Sequence, residues 1–385
     1  MMRNFLKILI VLMLFSNVVL GQEYERYNKL LDTTIASKYL KFNKNITITV
    51  PFEWQENSKE KYPLIIVFDK QNNRSHQYIL NTIDYLTSNE QMPSAIIISV
   101  ESKQKYRYLE TQYNISSKNG LATENESFIF KELIPFAESK LNASSFRLLI
   151  GHSRYGYFTT SLFYSKLNDI SAIISISSFY KQKNVNLIDS ISILNTNTTN
   201  SNKYYRFGIG NDYPTDFNQM DSVLTKFNNS KINANGYLFK NAEHNVTPGL
   251  TIGNALYEIF DYWSEKQSIY FSNDNKNTLN IDELENDISK HYGSKLRFGL
   301  GVLNGKGWYF YNESQFKKAI NAWEILIKNY PNFSEAYLYI IDAQTQLNMR
   351  TKETENEFKK SLIKTKIYSK KEKEELLKEL EEMKK

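Results

Sequence analysis

Between Tyr39 and Trp263, short apolar runs alternate with longer stretches in which apolar residues recur at helical spacing. The runs ITITVPF (Ile46–Phe52), PLIIVFD (Pro63–Asp69), SAIIISV (Ser94–Val100), FRLLIG (Phe146–Gly151), SAIISISS (Ser171–Ser178), YYRFGIG (Tyr204–Gly210) and NGYLFK (Asn235–Lys240) predict strands. Most carry Ile and Val at successive positions, so both faces are apolar, which suits parallel strands buried on both sides. The intervening NESFIFKELIPFAESKL and DFNQMDSVLTKFNN read as amphipathic helices. Strands alternating with helices predict an α/β fold, a mostly parallel sheet between two helical layers.

The pattern changes after Trp263. SEKQSIYFSNDNKNTLNIDELEND is polar and reads as a linker, so the expected organisation is a globular α/β domain over 22–265, a linker over 266–294 and an all-α tail over 295–385. In the tail, KGWYFYNESQFKKAINAWEILIKNYPN places Gly307, Phe310, Ala319 and Pro331 at the offsets of a tetratricopeptide repeat, whose period is about 34 residues. A looser second copy runs from Ser334 to about Thr365. Two repeats are fewer than the three or more such arrays need to stand alone. The tail is therefore expected to pack on the α/β domain or to pair with a second copy or another protein.

The first residues have their own pattern: Arg3 and Lys7, an apolar run through Leu20, then Gly21. This is the layout of a secretory signal peptide over 1–21, with an apolar run shorter than the ~20 residues of a membrane span. Its removal takes away two positive charges and no negative ones, so the net charge of +6 falls to +4. That balance, with no basic stripe, gives no reason to expect nucleic acid as a partner. The chain has no cysteine, which excludes disulfides, thiolate metal sites and a cysteine nucleophile. The expected location is the periplasm or the cell exterior.

Chemistry concentrates in GHSRYG (Gly151–Gly156), one residue away from the G-x-S-x-G turn that presents a serine nucleophile between a strand and a helix. A serine there needs a base, and the chain offers only four histidines. His152 adjoins Ser153, His291 belongs to the helical tail and His76 lies in a polar segment. His244 remains, in the loop after the last predicted strand. An acid is expected between serine and histidine in chain order, and the loop after YYRFGIG supplies Asp212, with Asp216 and Asp221 beyond it. All three groups fall at the carboxyl ends of successive strands, where parallel sheets collect their functional residues. No pair of histidines stands at metal-ligand spacing, so no metal is expected, nor any other cofactor.

The stretch from about Thr47 to Trp263 resembles the esterase family of α/β-hydrolases that includes enterochelin-type siderophore esterases, feruloyl and acetyl-xylan esterases, S-formylglutathione hydrolase and mycolyltransferases. The resemblance rests on YPLIIVFDK, SAIIISVESKQKYRYLE and FKELIPFAESKLNASSFRLLIGHS, and some bacterial members carry a similar helical tail. It implies an α/β-hydrolase three-layer sandwich and hydrolysis of a small-molecule ester, a siderophore-type lactone or an acyl or aromatic ester on a carbohydrate. Ser153 would be the nucleophile, His244 the base and Asp212 its orienting acid. Backbone N–H groups of Arg154 and of Gln71 or Lys70 would bind the oxyanion, and Lys70, Arg107 and Tyr155 would face the substrate. Three positions depart from the family pattern: Tyr155 stands for a glycine, Lys70 for the glycine of Asp-Gly, and Glu110 for the aspartate of Arg-x-x-Asp. Hydrolysis and acyl transfer to another acceptor use the same triad. The alternative reading is a degenerate hydrolase that binds without hydrolysing and uses its helical tail as a scaffold.

Overall fold

The computed structural model of the protein describes residues 24–384 except 57, 196–198, 228–229 and 273–280. The segment 1–21, read as a signal peptide, lies outside the described residues. Two strands open the fold: β1 (Tyr27–Ala36), which is mostly exposed, and β2 (Asn43–Pro51). Then β3 (Tyr62–Phe68), α1 (Asn73–Ser88), β4 (Ile96–Val100) and α2 (Gln104–Glu110) follow. A broken helix, α3 (Ala122–Phe128) and α4 (Ile134–Lys140) joined by a π turn, leads to β5 (Ala143–His152), α5 (Arg154–Ser165) and β6 (Ala172–Ile176). A small ribbon of β7 (Lys181–Gln182) and β8 (Val185–Asn186) precedes α6 (Leu187–Ser192), β9 (Lys203–Ile209), α7 (Pro214–Leu224) and β10 (Ile232–Leu238).

The main sheet has eight strands in the order β1-β2-β4-β3-β5-β6-β9-β10. The first two pairings, β1 with β2 and β2 with β4, are antiparallel, and all the others are parallel. Every predicted strand is present, within a few residues of its expected ends. Side chains alternate across the sheet, so β3 sends Ile65 and Val67 into one core and Leu64, Ile66 and Phe68 into the other. Helices cover both faces, which is why β3, β4 and β6 are buried at every position.

The first core also holds α8 (Thr247–Ser272), whose Ile252, Leu256, Ile259, Phe260 and Trp263 lie against the sheet. The segment expected to be a linker departs from that expectation. Helix α8 runs past residue 265 to Ser272, and α9 (Ile281–Tyr292) buries Ile281, Leu284, Ile288 and Tyr292 in the same core. The sequence NIDELENDISKHY is polar by count, yet its four apolar residues fall on one helical face, and that stripe suffices for packing.

A C-terminal all-helical segment follows: α10 (Leu300–Asn312), α11 (Phe316–Asn329), α12 (Glu335–Gln346), α13 (Lys352–Lys364) and α14 (Lys370–Glu382). It shares the first core with the sheet through Leu303, Phe310, Trp323 and Leu326, so it packs on the α/β part of the chain. Arg297 fastens the junction. Its guanidinium lies 4.7 Å from the ring centroids of both Tyr62 and Tyr330 and donates to Asn329 O. Among the described residues, no helix is long and apolar enough to cross a membrane.

Candidate active site

Strand β5 ends in Gly151 and His152, and the chain turns at Ser153 with φ 59° and ψ −116° before entering α5. A non-glycine residue with positive φ costs on the order of 1–3 kcal/mol and persists only where the surroundings impose it. Here they do: Ser153 N–H donates to Ile176 O at 2.7 Å, and Tyr157 N–H donates to Ser153 O at 3.0 Å. Gly151 permits the tight turn, since a Cβ there would lie 2.2 Å from Tyr155 O. The first-turn N–H of Arg154 has no partner within the helix, so it stays available to an anion.

Asp212 and His244 come together although 32 residues separate them. The loops after β9 and β10 touch at Gly210, where a Cβ would meet Ala242 O at 2.2 Å, and Asn211 N–H donates to that carbonyl. This contact aligns Asp212 Oδ2 with His244 Nδ1 at 2.5 Å. Asp216 sits one turn further on, in the first turn of α7, and does not reach the imidazole. His152 closes the group. Its ring centroid lies 4.6 Å from that of His244, and its Nε2 lies 3.1 Å from His244 O. A carbonyl only accepts, so His152 Nε2 carries the proton. Burial, reinforced by the neighbouring His244, pushes His152 down to about 4, so it is neutral and acts as a donor that fixes the His244 loop. The serine turn, the Asp212–His244 pair and His152 thus stand at the carboxyl end of the sheet. Among the described residues the Ser153 hydroxyl has no hydrogen-bond partner.

Of the two candidates after β3 for a second oxyanion donor, Lys70 spends its N–H on Val100 O at 3.1 Å, while Gln71 N–H has no partner among the described residues. Asp69, at φ 62°, holds this loop. Its carboxylate takes a fork from Arg107, at 2.8 and 2.6 Å, and also accepts from the Gln71 side chain. Arg107 additionally donates to His152 O at 3.3 Å and so ties the loop to the serine turn. Arg107 is therefore engaged with protein groups, and Lys70 Nζ is held by Asp32 on β1 at 2.9 Å. Neither has the free side chain expected of a substrate contact.

Tyr155 requires a correction. Expected to face the substrate, it is fully buried beneath the turn. Its ring stacks on Phe68, and its hydroxyl lies 2.5 Å from both Glu110 Oε2 and Ser102 Oγ. Glu110 is itself paired with buried Lys44 at 2.8 Å. The two positions where the resemblance led one to expect glycine and aspartate thus carry a tyrosine and a glutamate that meet. Lys44 and Ser102, which complete this network, carry no motif signal, and only their contacts reveal them. His76 and His291 are structural: one contacts Ser99 Oγ at 2.7 Å, and the other stacks on Tyr262 and contacts Tyr204 OH.

Residues 37–186 match the family model described as "Putative esterase". The match includes β2 to β6, the loop after β3 and the Ser153 turn, whereas Asp212 and His244 lie beyond it. No curated protein sequence matches the chain. In fold the chain is similar to an IroE-like serine hydrolase from Shewanella oneidensis, with TM-score 0.62 and 16% identity over 81% of this chain and 100% of that one. It is also similar to an uncharacterised protein from Capnocytophaga ochracea, with TM-score 0.57 and 14% identity over 92% of this chain and 99% of the other. A ferulic acid esterase aligns with TM-score 0.50 and 12% identity over 61% and 99% of the two chains. At such identities the likeness is one of fold. The first two alignments extend beyond the α/β part into the C-terminal helices.

Proposed function

We propose that the chain is an exported serine hydrolase of carboxylic esters, with Ser153 as nucleophile, His244 as general base and Asp212 as its orienting acid. The observation that carries this reading is the 2.5 Å contact of Asp212 with His244 Nδ1 beside a serine held in a strained strand-to-helix turn. With Nδ1 engaged by the carboxylate, Nε2 is the nitrogen that can take the Ser153 proton as Oγ attacks the ester carbonyl. The N–H groups of Arg154 and Gln71 would bind the oxyanion, and such donors supply about 3 kcal/mol each. His244 then protonates the leaving alcohol, and water activated by the same nitrogen releases the acid from Ser153. Acyl transfer would differ only in the acceptor.

The family match supports ester chemistry, and the signal-peptide-like pattern of residues 1–21 supports export. A siderophore-type lactone and an acyl or aromatic ester on a carbohydrate are the substrate classes this reading favours. The C-terminal helices, with their tetratricopeptide-like spacing, would carry any protein partner or homodimer contact.

The test is hydrolysis of short-chain p-nitrophenyl esters by the mature chain beside Ser153→Ala and His244→Ala. Activity abolished in both variants is expected. A parent inert towards these esters and unlabelled at Ser153 by a fluorophosphonate would turn the reading to a binding protein.

A further inference from the structure

Arg154, the residue after the proposed nucleophile, differs from the other solvent-shielded arginines among the described residues in how it is held. Among the described residues, five further arginines are shielded from solvent, and each has a carboxylate within 4 Å: Arg26 with Glu53, Arg107 with Asp69, Arg147 with Glu138, Arg206 with Glu258 and Arg297 with Glu60. Arg154 is partly buried and has none. Its guanidinium instead lies 3.7 Å from the centroid of the Tyr108 ring and 5.7 Å from that of Phe179.

The carboxylates around the turn are already engaged. Asp69 takes Arg107, Glu110 takes Lys44 and Asp212 takes His244. The positive charge of Arg154 is therefore uncompensated beside the serine. Aromatic faces hold a guanidinium in place and attract it weakly, but they leave its rim of N–H donors free. Burial disfavours the charge further. A partly desolvated guanidinium clamped by rings, with donors to spare beyond its hydrogen bond to Tyr108, is a preorganised receptor for a carboxylate, which it can bind through two parallel hydrogen bonds.

We propose that Arg154 selects esters that carry a carboxylate close to the scissile bond, with Tyr108 and Phe179 holding the guanidinium ready for it. Tyr108 is 47% exposed, so the receptor opens to solvent. The inference rests on the reading of Ser153 as the nucleophile and adds a substrate class to it.

Two matched pairs of esters test it. Mono-4-nitrophenyl glutarate against 4-nitrophenyl butyrate places the carboxylate on the acyl side, and 4-acetoxybenzoate against phenyl acetate places it on the leaving group. The readout is the ratio of kcat/KM for the anionic member to that for the neutral one, which cancels any general effect of a substitution on the turn. In at least one pair, Arg154→Gln is expected to lower this ratio roughly ten- to a hundredfold, the worth of a charge-assisted hydrogen bond, and Arg154→Lys to lower it less. Ratios that Arg154→Gln leaves unchanged in both pairs would overturn the proposal while the esterase reading stands. Should the parent hydrolyse none of the four, the esterase reading fails separately. Titration calorimetry of Ser153→Ala with mono-4-nitrophenyl glutarate then decides: tighter binding than in Ser153→Ala with Arg154→Gln supports the receptor, and equal binding overturns it.

Discussion

Tyr155 lies face to face with Phe68, their ring centroids 4.6 Å apart and their planes 11° from parallel. The contact joins the first turn of the serine helix to the end of β3, the strand that leads into the loop of Asp69 and Gln71. Replacing the ring with Tyr155→Gly would leave a ring-sized void and should destabilise the chain by about 3–5 kcal/mol. Tyr155→Phe keeps the stack and removes the hydroxyl's contacts with Glu110 and Ser102, which still bond each other, for a loss of about 1–2 kcal/mol. Urea unfolding monitored by circular dichroism separates the two, and a glycine variant as stable as the parent would contradict this account of the ring.

Lys44 and Glu110 form the buried ion pair behind that tyrosine, with side chains 2% and 1% exposed. Burial pulls the Lys44 ammonium down, and Glu110 opposes that pull. Removing the cation alone, in Lys44→Met, strands a carboxylate in the core and should cost about 3–5 kcal/mol. Adding Glu110→Gln should recover a large part of the loss, because no buried charge then lacks a partner. A double-mutant cycle on unfolding midpoints checks this, and additive losses would show that the pair is not coupled.

The strands of the parallel sheet were legible because burial on both faces leaves continuous apolar runs such as LIIVF and AIIIS. Strand β1 was not, since YNKLLDTTIA is an exposed edge strand whose register comes from pairing with β2. Helix α9 is hidden in a stretch that is polar by composition, and only the helical spacing of its four apolar residues marks it. For the site, Ser153, Asp212 and His244 were legible as types in an order, since a turn motif and scarce histidines narrow the choice. Whether Asp212 or Asp216 would meet His244 was not, because that depends on the contact of Gly210 with Ala242. The partners of Tyr155 lie 45 and 53 residues away in sequence, and no local pattern announces them.

Three histidines make folding sensitive to mild acid. Burial pushes His76, His152 and His291 each down to about 4, helped by Lys70, His244 and Lys266 respectively. Unfolded, each titrates near 6.5. As pH falls below that value the unfolded chain binds protons that the folded chain refuses, so stability present above pH 6.5 is lost towards pH 4. Glu90 works in the opposite sense: burial raises it to about 7, so its contribution is lost as pH rises through that value. The net of about two protons predicts a loss of up to ~3 kcal/mol per pH unit below pH 6.5. Urea midpoints from pH 7.5 to 5 measure the slope, and His152→Gln should reduce it by about one proton. A flat profile would mean that these rings are protonated in the folded state.

Gly307 faces Trp323 across the hairpin of α10 and α11, and a Cβ added there would lie 2.2 Å from the indole Nε1. Trp323 is fully buried and its Nε1 donates to Asn304 Oδ1 at 3.1 Å, so the ring cannot swing aside without losing that bond. Gly307→Ala should therefore destabilise the chain by about 1–3 kcal/mol despite the better helix propensity of alanine. Because these helices share a core with the sheet, the loss should appear in one unfolding transition that includes the sheet. A separate early transition confined to helical signal would show that the two parts unfold independently.

The two aspartates after β9 give the sharpest distinction at the site. Asp212 meets His244 Nδ1, whereas Asp216 lies on α7, near Lys181. In the proposed triad the carboxylate keeps the proton on Nδ1, leaves Nε2 free as the base and stabilises the imidazolium that forms during attack. An amide at residue 212 can donate to Nδ1 and so favour the tautomer with its proton on Nε2, which cannot accept from Ser153. Asp212→Asn should then lower kcat by about three to four orders of magnitude with little change in KM, on the scale of the same substitution in other triads. Asp216→Asn should stay within a few fold of the parent. Steady-state kinetics on one neutral p-nitrophenyl ester compares them directly, and a larger loss at Asp216 would move the orienting role to α7.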